Sequence, residues 1–261
     1  MTFLIEVEDL SVRFPNGIVA LEDINVKIRH PVFLVIAGPN GAGKTTFLKV
    51  MLGLIKPFKG RLKVLDIDPT REGSKIRKLI GYVPQRKSID YSLPVKVKDI
   101  VLMGRLLKKS PPRVVSKEDV EAAKRALEKV GLKDLWDRSF FELSGGQQQR
   151  VLVARAISTE GKILILDEPF SGADVKSQTT ILQTLKSLRD SGEISIVMVT
   201  HDVNPCHPYI DEVLLLNRRL IGYGKPCDLM KKEILWKVYG PSIQVIEHEG
   251  HFYAITGDSH A

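Results

Sequence analysis

Apolar and polar positions change rhythm several times along the 261 residues, and each change predicts an element. Residues 2–29 are short and partly alternating: FLIEVEDLSVRF, a Pro15-Asn16-Gly17 turn, then VALEDINVKI. That pattern predicts a small antiparallel sheet. PVFLVIA is a strand-length apolar run broken at Gly38, and after Lys44 the apolar residues return as Phe47, Leu48, Met51 and Leu52, at helical spacing. Residues 60–66 read as another strand, and residues 79–85 as one stopped by Pro84, which places Gln85 at a strand end. Helical periodicity follows over residues 97–107 and 117–130, separated by the breaker SPPR. Two helices with no strand between them predict a lobe inserted into an α/β core. Ser116, followed by Glu118 and Asp119, is the expected N-cap of the second.

LSGGQQQRVLVARAIS predicts a helix with Gly145 and Gly146 at its start, Ser144 beside them, and its first amides open to whatever approaches. KILILDEP and SIVMVT are apolar runs too short for helices. They read as buried parallel strands that deliver Asp167 and Glu168, and then His201, to the carboxyl edge of a sheet, where ligands of open α/β sheets bind. DEVLLLNRRLIGYGKP predicts a strand and turn, residues 229–238 a helix, and SIQVIEHEGHFYAIT a hairpin. His248 and His251 flank Gly250 on its polar face and read as surface histidines rather than a metal site.

The net charge of +8 and pI near 9.4 suit nucleic acid or an anionic membrane surface. The cations are spread among carboxylates, however, with no aromatic-interleaved basic tract or zinc-finger spacing, so nucleic-acid binding is not expected. Cys206 and Cys227 lack metal-ligand spacing and read as free thiols of a reducing compartment. MTFLIEVEDL carries Glu6, Glu8 and Asp9 where a signal peptide needs a basic start, so the chain is expected to stay inside the cell. No apolar run approaches the ~20 residues that cross a bilayer, so work at a membrane would need a partner that does the crossing.

The stretch that organises the chain is IAGPNGAGKTTFLKVMLG, residues 36–53. A strand becomes a helix through a glycine-rich loop, in which Gly38, Gly41 and Gly43 let successive amides turn inward around a phosphate at the helix N-terminus. Lys44 adds a mobile cation and Thr45 a hydroxyl. The whole fits G-x-x-x-x-G-K-[ST], whose lysine reaches the β- and γ-phosphates while the hydroxyl takes Mg²⁺. Phe14, just before the first turn, either packs into the core or stacks on a purine.

This loop, then LSGGQ, then ILILDEP, then a strand ending in a histidine resembles, in that order, the ATPase subunit of ATP-binding cassette (ABC) transporters. The likeness covers essentially the whole chain. The fold it implies is α/β: a P-loop NTPase core with a parallel central sheet, a flanking N-terminal antiparallel β-subdomain and an inserted α-helical subdomain. Residues 1–85 and 161–240 would form the core, residues 86–160 the helical subdomain and residues 241–261 a tail. The resemblance assigns Gly38, Pro39, Asn40, Gly41, Ala42, Gly43, Lys44, Thr45 and Thr46 to the phosphate loop and Gln85 to the Q-loop. It assigns Leu143 to Gln147 to the signature, with Ser144, Gly145, Gly146 and Gln147 at the nucleotide, Asp167 to the Walker B acid, Glu168 to the catalytic base, residues 171–174 including Asp174 to the D-loop, and His201 to the switch. Phe14 stands where such cassettes carry an adenine-stacking aromatic, which favours stacking.

The implied ligands are ATP and Mg²⁺, with Thr45, Gln85 and Asp167 around the metal. Lys44, Gln85, Glu168 and His201 would carry the hydrolysis. The implied assembly is a homodimer sandwiching two ATP molecules, bound to an integral membrane permease at the cytoplasmic face of the membrane, with an extracytoplasmic substrate-binding protein acting indirectly. GYVPQRKSIDYSLPVKVKDIVLMGR and THDVNPC narrow the resemblance to importers of zinc, manganese or iron. Two departures stand out: Pro208 interrupts the helix expected after His201, and the tail bearing His248 has no family role. The alternative is a non-transport cassette switching on nucleic acid or ribosomes, a class that usually pairs two cassettes or carries a long coiled coil.

Overall fold

The computed structural model describes residues 3–85, 95–170, 174–241, 244–248 and 251–255. In chain order the first elements are strands β1 (Phe3–Arg13), β2 (Val19–Arg29) and β3 (Phe33–Ala37), helix α1 (Lys44–Met51), strand β4 (Lys59–Val64), helix α2 (Pro69–Lys78) and strand β5 (Ile80–Val83). Helices α3 (Val97–Leu106), α4 (Lys117–Lys129) and α5 (Gly145–Ser158) follow, then β6 (Ile163–Asp167), α6 (Val175–Asp190) and β7 (Ser195–Thr200). The chain continues through β8 (Glu212–Asn217), β9 (Arg219–Gly224), α7 (Pro226–Leu229), α8 (Lys232–Tyr239), β10 (Gln244–His248) and β11 (His251–Ile255). Inter-residue contacts group the chain into two compact units, Met1–Ile76 with Val197–Ala261, and Arg77–Ile196.

In the first unit β1 pairs antiparallel with β2 on one side and β4 on the other, and the inward residues Leu4, Val7, Leu10, Leu21, Ile24 and Ile28 are buried. Alternation is broken at several irregularities of the β1–β2 register, including one between Val7 and Leu10 where Asp9 adopts φ +49°. β3 is buried at all five residues and runs parallel to β8, and β8 turns back into the antiparallel β9. A strand covered on both faces needs an unbroken apolar run, and FLVIA supplies it. α1 packs under β2 and β4, and α8 lies on β8 and β9.

In the second unit β5 and β6 are parallel, and α5 packs on β5 while also touching α3, α4 and α6. α5 is therefore buried around most of its circumference: Val151, Leu152, Val153, Ala154, Ala156 and Ile157 are all enclosed. α4 is capped as its sequence predicts, with Ser116 Oγ accepting from the Asp119 amide and the Asp119 carboxylate accepting from the Ser116 amide.

α2 was not expected. PTREGSKIRK buries only Pro69 and Ile76, contains a glycine, and kinks at Glu72, so its apolar stripe is too thin to announce a helix. The helix expected over residues 229–238 is α8, starting later at Lys232; the short α7 precedes it and ends at Met230, which leaves helical angles (φ −81°, ψ +43°) and is buried. After β7 the chain makes a 3₁₀ turn over Asn204–Cys206, consistent with the interruption read from Pro208.

Candidate functional site

The candidate residues divide between the units: Phe14, the phosphate loop and His201 in the first, and Gln85, Ser144–Gln147, Asp167, Glu168 and Asp174 in the second.

The phosphate loop joins the end of β3 to α1. Gly43 is the N-cap of α1 at φ +92°, and a Cβ there would stand 2.5 Å from the Ala20 carbonyl oxygen, so only glycine fits. A glycine cap offers no side-chain oxygen, and the first turn of α1 holds no carboxylate. The partial positive charge of the helix N-terminus is therefore left for a ligand anion. Lys44 is only 6% exposed. Its Nζ donates to the carbonyls of Gly38 (2.6 Å) and Pro39 (2.9 Å), which folds the loop around its own ammonium. The β8–β9 turn braces the outside: the Arg218 amide donates to the Ala42 carbonyl and the Glu22 amide to that of Arg218. Thr45 and Asn40 are exposed, and Thr46 and Pro39 half-buried.

His201 follows the buried β7 and is half-buried. The next residue fixes the turn: the Asp202 amide donates to Thr200 Oγ1 (3.1 Å), and Asp202 Oδ1 accepts from the Asn204 amide (2.9 Å). Phe14 lies between β1 and β2, half-buried, its amide and carbonyl closing the turn to Ile18 and Gly17.

In the second unit β6 ends in Asp167, 4% exposed, followed by Glu168 in the left-handed region at φ +49°. A residue with a Cβ held there is strained, and such strain concentrates at functional sites. Gln85 and Glu168, far apart in sequence, meet: Gln85 Nε2 donates to Glu168 Oε2 at 2.8 Å. Asp167 has a neighbour that sequence reasoning missed. Tyr82 Oη approaches Asp167 Oδ2 at 3.5 Å, and burial together with the Asp167 charge pushes the phenol up to about 12, so it stays a donor to the carboxylate. Arg155 of α5, its guanidinium's acidity raised by burial, donates to the Tyr82 carbonyl (3.1 Å) and ties the signature helix to this strand end. Only the position of Tyr82 three residues before Gln85 could have hinted at it.

The start of α5 differs from expectation in one respect. Ser144 Oγ accepts from the Gln147 amide (3.3 Å), and Gln147 Oε1 accepts from the Ser144 amide (3.0 Å), so a capping box already uses part of what the sequence left open. Gly146 is buried against α6: a Cβ would fall 2.3 Å from Ser177 Oγ. Asp174 caps α6 by accepting from the Ser177 amide at 2.7 Å, and that bond holds its carboxyl below the usual range. Residues 171–173 of the expected D-loop lie outside the described residues.

The donors that the resemblance assigns to Mg²⁺ are a hydroxyl, an amide and a carboxylate, all hard oxygens, and a buried Asp167 suits that ion. Among the described residues no cluster of three histidine, cysteine or carboxylate side chains could hold a further metal, and no helix is long and apolar enough to cross a membrane.

Comparison with known proteins agrees with this chemistry. The family model described as ABC transporter matches residues 21–171. A manganese transport system ATP-binding protein, MntB of Halalkalibacterium halodurans, is 41% identical over 92% of this chain and 93% of its own length. The zinc transport system ATP-binding protein TroB of Treponema pallidum is 37% identical, over 92% and 88%. Among solved structures, an ABC transporter in an inward-facing conformation superposes with a TM-score of 0.81 at 30% identity, covering 98% of this chain and 96% of that one. With its glycine-capped phosphate loop, its LSGGQ helix and its DE-terminated strand, the chain belongs to the ABC transporter family as one of its ATP-hydrolysing cassettes.

Proposed function

We propose that this cassette is the motor of a transporter that imports a first-row transition metal, such as manganese, zinc or iron, through a separate integral membrane permease. The substrate class rests on relatives whose systems carry manganese and zinc. The observation that supports the motor reading most directly is the N-terminus of α1, capped by a glycine without a side-chain bond and free of acids, with Lys44 folded over it, an anion site built from backbone and one cation. Lys44 and the loop amides bind the β- and γ-phosphates, and Phe14 takes the adenine. Mg²⁺, when bound through Thr45, Asp167 and Gln85, neutralises developing phosphate charge. Glu168 orients and polarises the attacking water, and His201 hydrogen-bonds the γ-phosphate. Ser144 to Gln147 and Asp174 meet the nucleotide of a second copy, so that two chains close on two ATP molecules and the closure drives the permease.

On this reading the chain sits at the cytoplasmic face of the membrane, and an extracytoplasmic binding protein selects the metal. The cargo never meets the motor. ATPase activity should therefore rise when the reconstituted permease is given metal-loaded binding protein, and free zinc or manganese should not stimulate the lone subunit above its Mg²⁺-dependent rate. Stimulation of the lone subunit by nucleic acid, with none from the reconstituted transporter, would overturn the assignment.

A further inference from the structure

Two parallel strands bring a phenol to the carboxylate at the end of β6. β5 and β6 run side by side with Tyr82 opposite Ile165. Residues two apart on a strand share a face, so Asp167 stands on the face of Tyr82, about 6.6 Å further along. A tyrosine is long enough to span that gap and ends in a donor. Tyr82 Oη reaches Asp167 Oδ2 at 3.5 Å, and because a carboxylate only accepts, the phenol donates.

The main chain of Tyr82 is held as well. Half-buried Arg155 of α5 donates to its carbonyl at 3.1 Å, a charge-assisted bond. Arg155 is itself fixed where α3 crosses α5, since a Cβ on Gly104 would stand 2.2 Å from the Arg155 carbonyl oxygen. Gly81, just before Tyr82, also lies against α5: a Cβ there would meet the Ala156 carbonyl oxygen at 2.3 Å. The end of β5 is thus set by the signature helix. From that fixed end it offers one donor to each acid of the DE pair, the Tyr82 phenol to Asp167 and the Gln85 amide to Glu168 at 2.8 Å.

We propose that Tyr82 is a positioning residue of the motor, which fixes the carboxylate plane of Asp167 for Mg²⁺. The inference rests on the motor reading and adds a residue to it. A hydrogen bond to one oxygen of a carboxylate restrains rotation about its last bond and so sets where both oxygens point. Without the phenol, the carboxylate is ordered only as the ion binds, and the cost of ordering it falls on metal affinity. Nucleotide binding without metal is unaffected, because that belongs to the phosphate loop and Phe14.

The test is Tyr82→Phe in the full chain, which keeps the ring and removes only the hydroxyl, beside Asp167→Asn and the double variant. Mn²⁺ takes the same oxygen donors as Mg²⁺, and its binding with a non-hydrolysable ATP analogue is read from the electron paramagnetic resonance of the free ion. Nucleotide affinity in EDTA, the Mg²⁺ concentration at half-maximal ATPase rate and the melting temperature complete the set. Tyr82→Phe should weaken Mn²⁺ binding and raise the Mg²⁺ requirement about 3- to 10-fold. That is less than the usual loss of about 10- to 100-fold for such a partner, because the 3.5 Å bond is long. Metal-free nucleotide affinity and melting temperature should stay at parent values, and in the Asp167→Asn background Tyr82→Phe should change Mn²⁺ binding no further. Parent-like Mn²⁺ binding and Mg²⁺ requirement in Tyr82→Phe would overturn the proposal. So would an equal loss of nucleotide affinity with and without metal, or a lowered melting temperature with the Mg²⁺ requirement intact, because Tyr82 would then be a structural prop only. If Asp167→Asn itself bound Mn²⁺ like the parent, the metal assignment of the motor reading would fail, whereas a weakened Asp167→Asn beside a parent-like Tyr82→Phe would remove the role of Tyr82 alone.

Discussion

Gln85 Nε2 lies 2.8 Å from Glu168 Oε2, an amide donating to a carboxylate 83 residues further along the chain. The bond fixes the rotamer of the proposed base and leaves its second oxygen for a water. Glu168→Gln keeps the size and an acceptor for Gln85 but loses the charge that polarises water. Turnover should fall about 10²- to 10⁴-fold, the usual loss when a positioned base is removed. ATP binding should survive, and with ATP and Mg²⁺ the stalled variant should run as a dimer, with ADP as a monomer. Light scattering after gel filtration reads both states, and a monomer in saturating MgATP would sink the two-chain sandwich.

Gly146 offers a way to separate binding from closure. Alanine there would drive a methyl group into Ser177 Oγ at the α5–α6 contact and shift the start of the signature helix. Overpacking of this kind costs about 1–3 kcal/mol, so the variant should fold with a lowered melting temperature. Nucleotide should still bind to a single chain, because the phosphate loop belongs to the other unit. ATP-dependent dimerisation and turnover should both fall. Full activity in this variant would remove the signature helix from the site.

Asp119 makes the helical lobe sensitive to acid. Its carboxylate is 3% exposed, covered by Arg105 (3.2 Å) and Lys109, and it accepts from the Ser116 amide at 2.8 Å. Desolvation opposes the charged form, yet the Lys109 hydrogen bond, the Ser116 bonds and the Arg105 bond together hold the group well below the usual carboxylate range. A depressed folded-state value contributes stability above the unfolded pKa of about 4, and that contribution disappears as pH falls further. Asp119→Asn should therefore destabilise the chain at pH 7 by about 1–3 kcal/mol, between the value of a surface pair and that of a deeply buried one. The gap between parent and variant should narrow below about pH 4, as urea midpoints across that range would show. A gap that widened in acid would contradict the assignment.

The phosphate loop, the signature and the DE pair were legible because each is written in consecutive residues whose backbone path follows from local chemistry: glycines that open a loop, a serine that caps, a proline that stops a strand. β3, β6 and β7 were legible for a related reason, since a strand buried on both faces leaves an unbroken apolar run. α2 escaped because its packing rests on Ile76 and Pro69 alone. The approach of Tyr82 to Asp167 escaped for a different reason. It depends on how a strand end is placed by distant packing, and an isolated tyrosine carries no periodic signal. The Gln85–Glu168 bond was half visible: both residues were assigned to the chemistry, but nothing in the spacing said that they touch.

The left-handed backbone of Glu168 has a consequence for how such chains change over generations. A residue with a Cβ in that conformation stores about 1–2 kcal/mol that glycine would not. Selection for robustness alone would drift this position toward glycine or asparagine, and on the role proposed for Glu168 such a chain would fold but lose turnover. On that role, only selection for turnover holds the glutamate in place. A cassette that has lost its transporter should shed this residue early, so the identity of position 168 serves as a record of whether the motor is still in use.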